Sequence, residues 1–79
     1  MTEQASERVN AIRARCRTAA EQSGLSMLQI GLRMGYSEKG ARQAASRLLN
    51  LNHDYDPRLS TLIAFADAVG CSLRQLVGR

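Results

Sequence analysis

Apolar residues recur at steps of three and four along most of the chain, with charged or polar residues between them. This spacing is typical of amphipathic helices, and no four-residue stretch alternates as a half-buried strand would. The first such segment predicts a helix from about Ser6 to Gln22, closed by Gly24. Its predicted apolar stripe consists of Val9, Ile12, Cys16 and Ala19. The segment's arginines are predicted to lie mostly away from that stripe: Arg8, Arg13, Arg15 and Arg17.

Two further helices are predicted on either side of a glycine turn. Ser26 and Gln29 stand three apart, as in a capping box, in which each side chain bonds the backbone amide of the other residue. The helix that they begin is predicted to be short and to end at Gly35. Ser37 is predicted to cap the third helix, which runs to about Asn50.

The remaining part of the chain predicts two more helices. Asp56 as cap and Pro57 in the first turn begin the fourth helix, and Gly70 ends it. Its predicted buried stripe is Leu59, Leu62, Ile63, Ala66 and Val69. A second capping box begins a last short helix over residues 72–77. Five helices with short connections predict a compact all-α bundle in which residues 1–79 form a single domain.

Composition and charge narrow the possible functions. The net charge is +4, the sequence pI is about 9.8, and ten of the eleven basic residues are arginine. This balance favours a polyanionic partner. The three aromatic residues are too few for a platform that stacks single-stranded bases. No apolar run reaches the length of a membrane span and the amino terminus shows no signal peptide, so we expect a soluble, cytoplasmic protein without a membrane partner.

No set of residues indicates catalysis, a metal or a cofactor. Cys16 and Cys71 are far apart in the sequence and have no histidine at metal-ligand spacing, so neither a zinc site nor a disulfide framework is expected. His53 has no neighbouring ligand or nucleophile, and Asp54 and Asp56 are interpreted as turn and cap residues. We therefore expect a protein that is not an enzyme and that uses no cofactor.

The third helix has two contrasting faces. The predicted inner face is small: Ala41, Ala44, Ala45 and Leu48. The predicted outer face carries guanidinium, amide and hydroxyl groups: Arg42, Gln43, Ser46 and Arg47. A helix of this kind, preceded by a short helix and a tight glycine turn, is typical of a helix-turn-helix, which places its second helix in the major groove of DNA.

From Gly24 to Ser72 the order of elements resembles the Cro/C1-type helix-turn-helix domain, the lambda-repressor-like XRE family. The stretch GLSMLQIGLRMGYS resembles the family's first motif helix and turn, and DPRLSTLIAFADAVGCSLRQLV resembles its fourth and fifth helices. Gly31 stands where the family has Ala or Gly because the recognition helix crosses closely, and Gly35 matches the turn glycine. The resemblance implies a transcriptional regulator, most simply a repressor, that binds double-stranded DNA as a homodimer on a palindromic operator.

The register of the recognition helix has two alternatives. Without a gap relative to the family, its buried positions are Ala41 and Ala44. With about one extra helical turn after Ser37 they are Ala45 and Leu48, which fill the space better. Both registers leave nearly the same face outward, because one turn restores the angular position.

Other departures from the family concern single positions. Met27 replaces a polar residue, often Gln, that would contact phosphate. A family ion pair is absent, since its places are taken by Ala20 and Leu49, and such a replacement can be neutral or stabilising. Leu28 and Leu32 stand where charged residues are common, and they are either covered by the first helix or exposed to a partner.

Side-chain chemistry assigns candidate roles around the third helix. Arginine pairs with guanine O6 and N7, and glutamine pairs with adenine N6 and N7. The candidate base contacts are Arg42, Gln43 and Arg47, with Ser46 in support. Phosphates are expected on Lys39 and on the amides near Ser37 and Glu38, while the Glu38 carboxylate points aside or accepts from a cytosine amine. Further phosphate candidates, with solvated side chains as the alternative, are Arg8, Arg13, Arg17 and Arg58.

Two other functions are compatible with this pattern. One is an antitoxin-like interaction module that binds a partner protein through exposed leucines. The other is a nucleic-acid binder without sequence preference and with steep salt dependence. A dimer has three candidate surfaces: the last helix with Leu76 and Val77, the loop around Leu49, Leu51 and Tyr55, and the face of Leu28 and Leu32.

Overall fold

The structure, a computed structural model, describes the backbone of residues 3–51 and 55–78 and the side chains of residues 7–51 and 55–78. Over this part the chain forms five helices and no strand. They are α1 (Glu3–Ser23), α2 (Met27–Arg33), α3 (Glu38–Leu49), α4 (Leu59–Val69) and α5 (Leu73–Val77). The radius of gyration, 11.7 Å, is close to the value of about 11.6 Å expected for a compact chain of this length. The predicted all-α bundle of five helices is confirmed.

Both predicted capping boxes are present. At the start of α2 the Ser26 hydroxyl accepts from the Gln29 amide at 3.1 Å, and Gln29 Oε1 accepts from the Ser26 amide at 2.9 Å. Ser72 and Gln75 form the same pair at the start of α5, at 3.2 and 3.0 Å. Each box satisfies two amides that a helix leaves unpaired at its amino end. These bonds define the starts of two helices of only seven and five residues.

The first helix is longer than predicted and buries one residue that was expected outside. It begins at Glu3 rather than Ser6, because Glu, Gln and Ala are all favourable in a helix. The predicted stripe faces the core, with Cys16 fully buried. Arg13, however, is only 1% exposed, so its predicted position away from the stripe is wrong.

The fourth helix begins later than predicted. Its N-cap is Arg58, so Asp56 is not the cap and Pro57 precedes the first turn. Tyr55 explains the difference, because its ring packs against the core and lies 5.7 Å from the guanidinium carbon of Arg13. The connection remains non-helical from this anchor until Arg58, whose carbonyl accepts the first helical hydrogen bond.

The core-facing side of α4 is rotated relative to the predicted stripe, of which Leu62 and Ala66 are buried as predicted. Its buried residues are Leu62, Phe65, Ala66 and Ala68. Two predicted members of the buried stripe, Leu59 and Ile63, are 61% and 44% exposed, and Val69 is only partly buried. The segment LSTLIAFADAV is apolar on most of its circumference, so periodicity alone could not identify the buried side.

The second and third helices cross at very short distance after a tight turn. The turn contains Gly35 at φ +103°, a conformation that glycine adopts without strain. A Cβ atom on Gly31 would overlap the Ala41 carbonyl group and come within 2.6 Å of the Ala41 Cα atom. The predicted close crossing at Gly31 is therefore confirmed. Even an alanine methyl group does not fit here, so the requirement is stricter than the family pattern of Ala or Gly.

The inner face of α3 contributes to the common core. Ala41, Ala45 and Leu48 are fully buried, whereas Ala44 is only partly buried. The buried positions thus fit the register with about one extra turn. Ala20 and Leu49, which replace the family ion pair, are also buried in the core. Across the described helices the core cluster comprises Cys16, Ala20, Ile30, Ala45, Leu48, Leu49, Leu62, Phe65, Ala66 and Leu76.

The two cysteines are free thiols in different surroundings. Cys16 is fully buried in α1, and Cys71, which follows α4, is partly buried against the same core. Burial, together with the nearby Cys71, raises the pKa of Cys16 to about 11. Burial also raises the pKa of Cys71. Both shifts keep the protonated thiol, since the thiolate is the form that low polarity disfavours.

Alkylation at neutral pH is expected to modify Cys71 well before Cys16. The thiolate is the reactive form, and Cys16 combines complete burial with a pKa of about 11. Mass spectrometry of peptides after timed treatment with iodoacetamide measures both rates. In denaturant the two cysteines should react at the same rate. Equal rates in the native protein would contradict the burial of Cys16 between α1 and the core.

Candidate nucleic-acid interface

The structure brings all four predicted base-contact residues together on the outer face of α3. Arg42, Gln43 and Arg47 are exposed and Ser46 is partly buried. These four residues line one open surface depression. Arg42 and Ser46 are one turn apart, as are Gln43 and Arg47, so the polar groups form two short rows along the helix. The arrangement presents donors and acceptors along one side of a helix, the kind of element that the major groove admits.

The predicted phosphate-contact residues at the start of α3 are exposed. Ser37 has the extended backbone of an N-cap, with φ −69° and ψ 159°, but its hydroxyl makes no capping hydrogen bond. The predicted side-chain cap is therefore wrong, and only its position is correct. Glu38 and Lys39 follow, both exposed. The Gly40 amide donates to the Ser37 carbonyl at 3.0 Å, whereas no side-chain cap occupies the amides of Glu38 and Lys39, which a phosphate at this helix start can bind.

An arginine from the first helix borders the same surface. Arg17 lines a second depression together with Met27, Ser46, Leu49 and Asn50, so the two depressions share Ser46. Its guanidinium Nε lies 3.8 Å from the Glu21 carboxylate, in an exposed pair of the kind that contributes little stability. Arg17 can thus exchange Glu21 for a phosphate. It places a cation near the start of α2, where Met27 provides no polar side chain.

The other predicted phosphate candidates lie elsewhere. Arg8 lines a depression between α1 and the end of α5, together with Arg15 and Val77. Arg58 is exposed at the N-cap of α4, at the far end of the connection that leaves α3. Arg13 is buried, so its prediction as a phosphate contact is wrong.

Three arginines donate hydrogen bonds to carbonyl groups at the ends of other helices. Arg13 binds carbonyls at the end of α3, as detailed below. Arg33 donates to the Ala68 carbonyl of α4 at 3.3 Å, and Arg15 donates to the Leu76 carbonyl of α5 at 3.4 Å. The last carbonyls of a helix lack intrahelical partners and carry the negative end of the helix dipole, so guanidinium groups suit them. These three roles were missed in the sequence, where Arg13 and Arg15 were placed away from the apolar stripe and Arg33 was assigned no role.

The exposed leucines and the candidate dimer surfaces differ from several predictions. Leu28 is partly buried and Leu32 is 43% exposed, because α2 packs mainly against α3 and α4 rather than α1. The alternative in which α1 covers Leu28 and Leu32 is therefore wrong. Leu49 and Leu76 are buried and cannot form the centre of a dimer contact. The exposed large apolar residues of the described chain are Met27, Leu32, Tyr36, Leu51, Leu59, Ile63 and Val77.

Two other kinds of site are absent from the described residues. Among them, no three or more His, Cys, Asp or Glu residues are grouped as a metal site would require. No helix in residues 3–51 or 55–78 combines the length and apolarity needed to cross a membrane. The predicted loop residues His53 and Asp54 lie outside the described residues.

The geometry of α2 and α3 raises the question of family membership. Comparison with protein-family models, curated proteins and solved structures gives no match. No family is shown. The function of this chain is therefore inferred from the crossing of α2 and α3 and from the side chains that α3 presents.

Proposed function

We propose that this protein is a sequence-specific regulator of transcription that binds double-stranded DNA, in the manner implied by the resemblance of its sequence to the Cro/C1-type helix-turn-helix domain. In the simplest form it is a cytoplasmic repressor. The observation that carries this proposal is the polar outer face of α3, where exposed Arg42, Gln43 and Arg47 and partly buried Ser46 line one depression.

The dimensions and chemistry of α3 suit the major groove of DNA. That groove admits one α-helix, and its base edges carry distinct patterns of donors and acceptors. The inner face of α3 is fixed by Ala41, Ala45 and Leu48 in the core, so the opposite face can enter the groove without disturbing the fold. Arg42 and Arg47 supply forked donors for guanine, and Gln43 supplies the donor and acceptor pair for adenine.

The surrounding charges suit the phosphate backbone. Lys39 and the first-turn amides lie at the amino end of α3. Arg17 of α1 lines a depression together with Ser46, nearer the carboxyl end of α3. Phosphate contacts on both sides of the base-reading residues would fix the register of the helix on the duplex. A protein that binds nucleic acid by charge alone does not need phosphate contacts on both sides of base-reading residues, since attraction to phosphates carries no sequence information.

Sequence-specific regulation also implies a homodimer. One domain of this kind contacts only a few base pairs, and such proteins commonly use two half-sites about 34 Å apart. A two-fold symmetric dimer then requires a palindromic operator. The partners proposed for this chain are therefore double-stranded DNA and a second copy of the chain.

Selection of bound duplexes from a random pool is the direct test of this function. The unmodified protein is expected to enrich a palindromic site. Arg42→Ala and Gln43→Ala are each expected to relax discrimination at one symmetric base position by about 1–3 kcal/mol. Binding measurements on single-base variants of the selected site give these values.

The matched controls are Arg8→Ala and Gln22→Ala. Both residues are exposed on α1, away from the outer face of α3. Their substitutions remove the same chemical groups as Arg42→Ala and Gln43→Ala. They should leave the preferred sequence unchanged. A pool in which no sequence is enriched by the folded, unmodified protein would refute the proposed function.

An antitoxin-like interaction module is the second candidate, and the exposed apolar residues favour it. Leu32, Leu59 and Ile63 are 43%, 61% and 44% exposed. In a cellular assay of function, Leu32→Ser and Ile63→Ser should abolish the activity of such a module, whereas Arg42→Ala should not. The opposite pattern supports the DNA-binding regulator.

A further inference from the structure

Arg13 lies behind α3, on the side away from the proposed DNA surface. Its Nε donates to the Leu48 carbonyl at 2.9 Å. One terminal nitrogen, Nη2, donates to the Arg47 carbonyl at 3.0 Å and to the Asn50 carbonyl at 2.6 Å. The side chain is 1% exposed, and the Tyr55 ring lies 5.7 Å from its guanidinium carbon. One guanidinium group thus binds three backbone carbonyls at the carboxyl end of α3, the helix proposed to read the bases and called the reading helix below.

The chemistry of guanidinium is well matched to this position. The last carbonyls of a helix have no amide partners within the helix and carry partial negative charge. A planar guanidinium has several N–H donors in a fixed fork, whereas an ammonium group is a compact donor on a flexible stem. Arg13 therefore restrains the direction of the last turn of α3 as well as neutralising its carbonyls.

The reading helix is consequently anchored at two points. Near its amino end, the Ala41 backbone is pressed against Gly31 of α2. At its carboxyl end, Arg13 of α1 binds the carbonyls of residues 47, 48 and 50. Ala45 and Leu48 also pack in the core, so loss of the second anchor leaves only side-chain packing to resist a pivot of α3 about the first.

We propose that Arg13 is a positioning residue that sets the angle of α3 and thereby the base discrimination made by Arg47 and Ser46. This inference rests on the proposed function. Arg47 is six residues beyond the crossing at Ala41, a distance of about 9 Å along the helix. A pivot of about 6° therefore displaces it by about 1 Å, enough to disrupt a bidentate contact whose distances lie within a few tenths of an ångström. Arg42, next to the pivot, moves far less.

The experiment uses two substitutions at Arg13 and one matched control. Arg13→Met keeps the aliphatic length without donors, and Arg13→Lys keeps the charge without the fork. The control is Arg33→Met, which removes a guanidinium that donates to the Ala68 carbonyl at the end of α4, away from the reading helix. Each variant is measured at a temperature where circular dichroism shows it to be folded, against every single-base variant of the selected duplex.

A positioning role predicts an uneven loss of discrimination. The substitutions Arg47→Ala and Arg42→Ala first identify the base position that each arginine reads. Arg13→Met should then lower the preference for the correct base about tenfold at the Arg47 position, and leave the preference at the Arg42 position unchanged. Arg13→Lys should show a smaller loss at the same position, and Arg33→Met should keep the whole profile. A folded Arg13→Met protein with unchanged discrimination, or with an equal loss at every position, would overturn the proposal.

Hydrogen exchange provides a readout that does not depend on DNA. In Arg13→Met, amides of the last turn of α3 and of Asn50 should exchange faster, while those next to Gly31 and Ala41 keep their protection. Unchanged exchange in the last turn would overturn the anchoring role itself. If the unmodified protein shows no sequence preference, the proposed function and the reading role of Arg13 both fail, whereas the exchange result still decides whether Arg13 anchors the helix.

Discussion

Replacement of Gly31 by alanine is expected to destabilise the protein by about 3 kcal/mol. The new Cβ atom would overlap the Ala41 carbonyl group, and it would lie 2.6 Å from the Ala41 Cα atom. These neighbours are backbone atoms, so a side-chain rotation cannot remove the clash, and α3 must move away from α2. Urea denaturation followed by circular dichroism measures the loss in the free energy of unfolding.

Gly40→Ala is the matched control for this substitution. Gly40 is also a helical glycine, but a Cβ atom there would meet nothing within 4 Å. Alanine is expected to stabilise the protein by about 0.5–1 kcal/mol, because it lowers the entropy of the unfolded chain. If both alanine variants changed stability by the same amount and sign, the close crossing at Gly31 would be contradicted.

Phe65→Ala is the second substitution with a large expected effect, about 3–5 kcal/mol of lost stability. Phe65 is fully buried in the core cluster and has one of the largest buried side chains of the described residues. Small domains have total stabilities of about 0.05–0.15 kcal/mol per residue. This one cavity therefore removes a large share of the stability of a 79-residue chain. Thermal unfolding should show a lower midpoint with a substantial unfolded population.

Ile63→Ala tests the same helix on its other side. Ile63 belongs to the stripe predicted from the sequence, but it is 44% exposed, so its truncation is expected to change stability by no more than about 0.5 kcal/mol. The pair of variants decides which face of α4 is buried. A large loss for Ile63→Ala with a small loss for Phe65→Ala would restore the face predicted from periodicity and contradict the packing of α4.

The features that the sequence predicted correctly are those specified by local chemistry. Ser26 with Gln29, and Ser72 with Gln75, define helix starts through bonds between residues three apart. The two faces of α3 were predictable because small apolar and large polar residues alternate with the helical period. The candidate base-contact residues follow from that periodicity, and the structure brings all four together.

The features that were missed depend on packing between distant segments. Periodicity could not orient α4, since apolar residues occur on most sides of that helix, and the neighbouring helices decide which of them are buried. Arg13 was assigned to the surface because of its charge. It stands four residues after Val9 and three before Cys16, so its place on the apolar stripe was visible in the sequence. The carbonyls that it binds lie 34 to 37 residues away, and no local pattern indicates them.

The arginines that bind helix ends also change how the basic composition is interpreted. Arg13, which is buried, and Arg15 and Arg33, which are exposed, all donate to carbonyls at helix ends. Their charges contribute to the net charge of +4 and the pI of about 9.8, but the donors that they use in these bonds are not available to phosphates. The number of arginines in this chain therefore overstates the number of guanidinium groups available for the proposed DNA contacts.

Arg13 donates hydrogen bonds to the backbone carbonyls of residues 47, 48 and 50, and every amino acid has a backbone carbonyl. The orientation of the helix is thus independent of the side chains that it displays. Residues 42, 43 and 47 can be substituted while the hydrogen bonds from Arg13 to the backbone are kept. Substitutions at exposed positions rarely alter stability by more than about 0.5 kcal/mol. A lineage descended from this protein could acquire new target sites without first repairing its fold. A combinatorial library at these positions would inherit the same freedom.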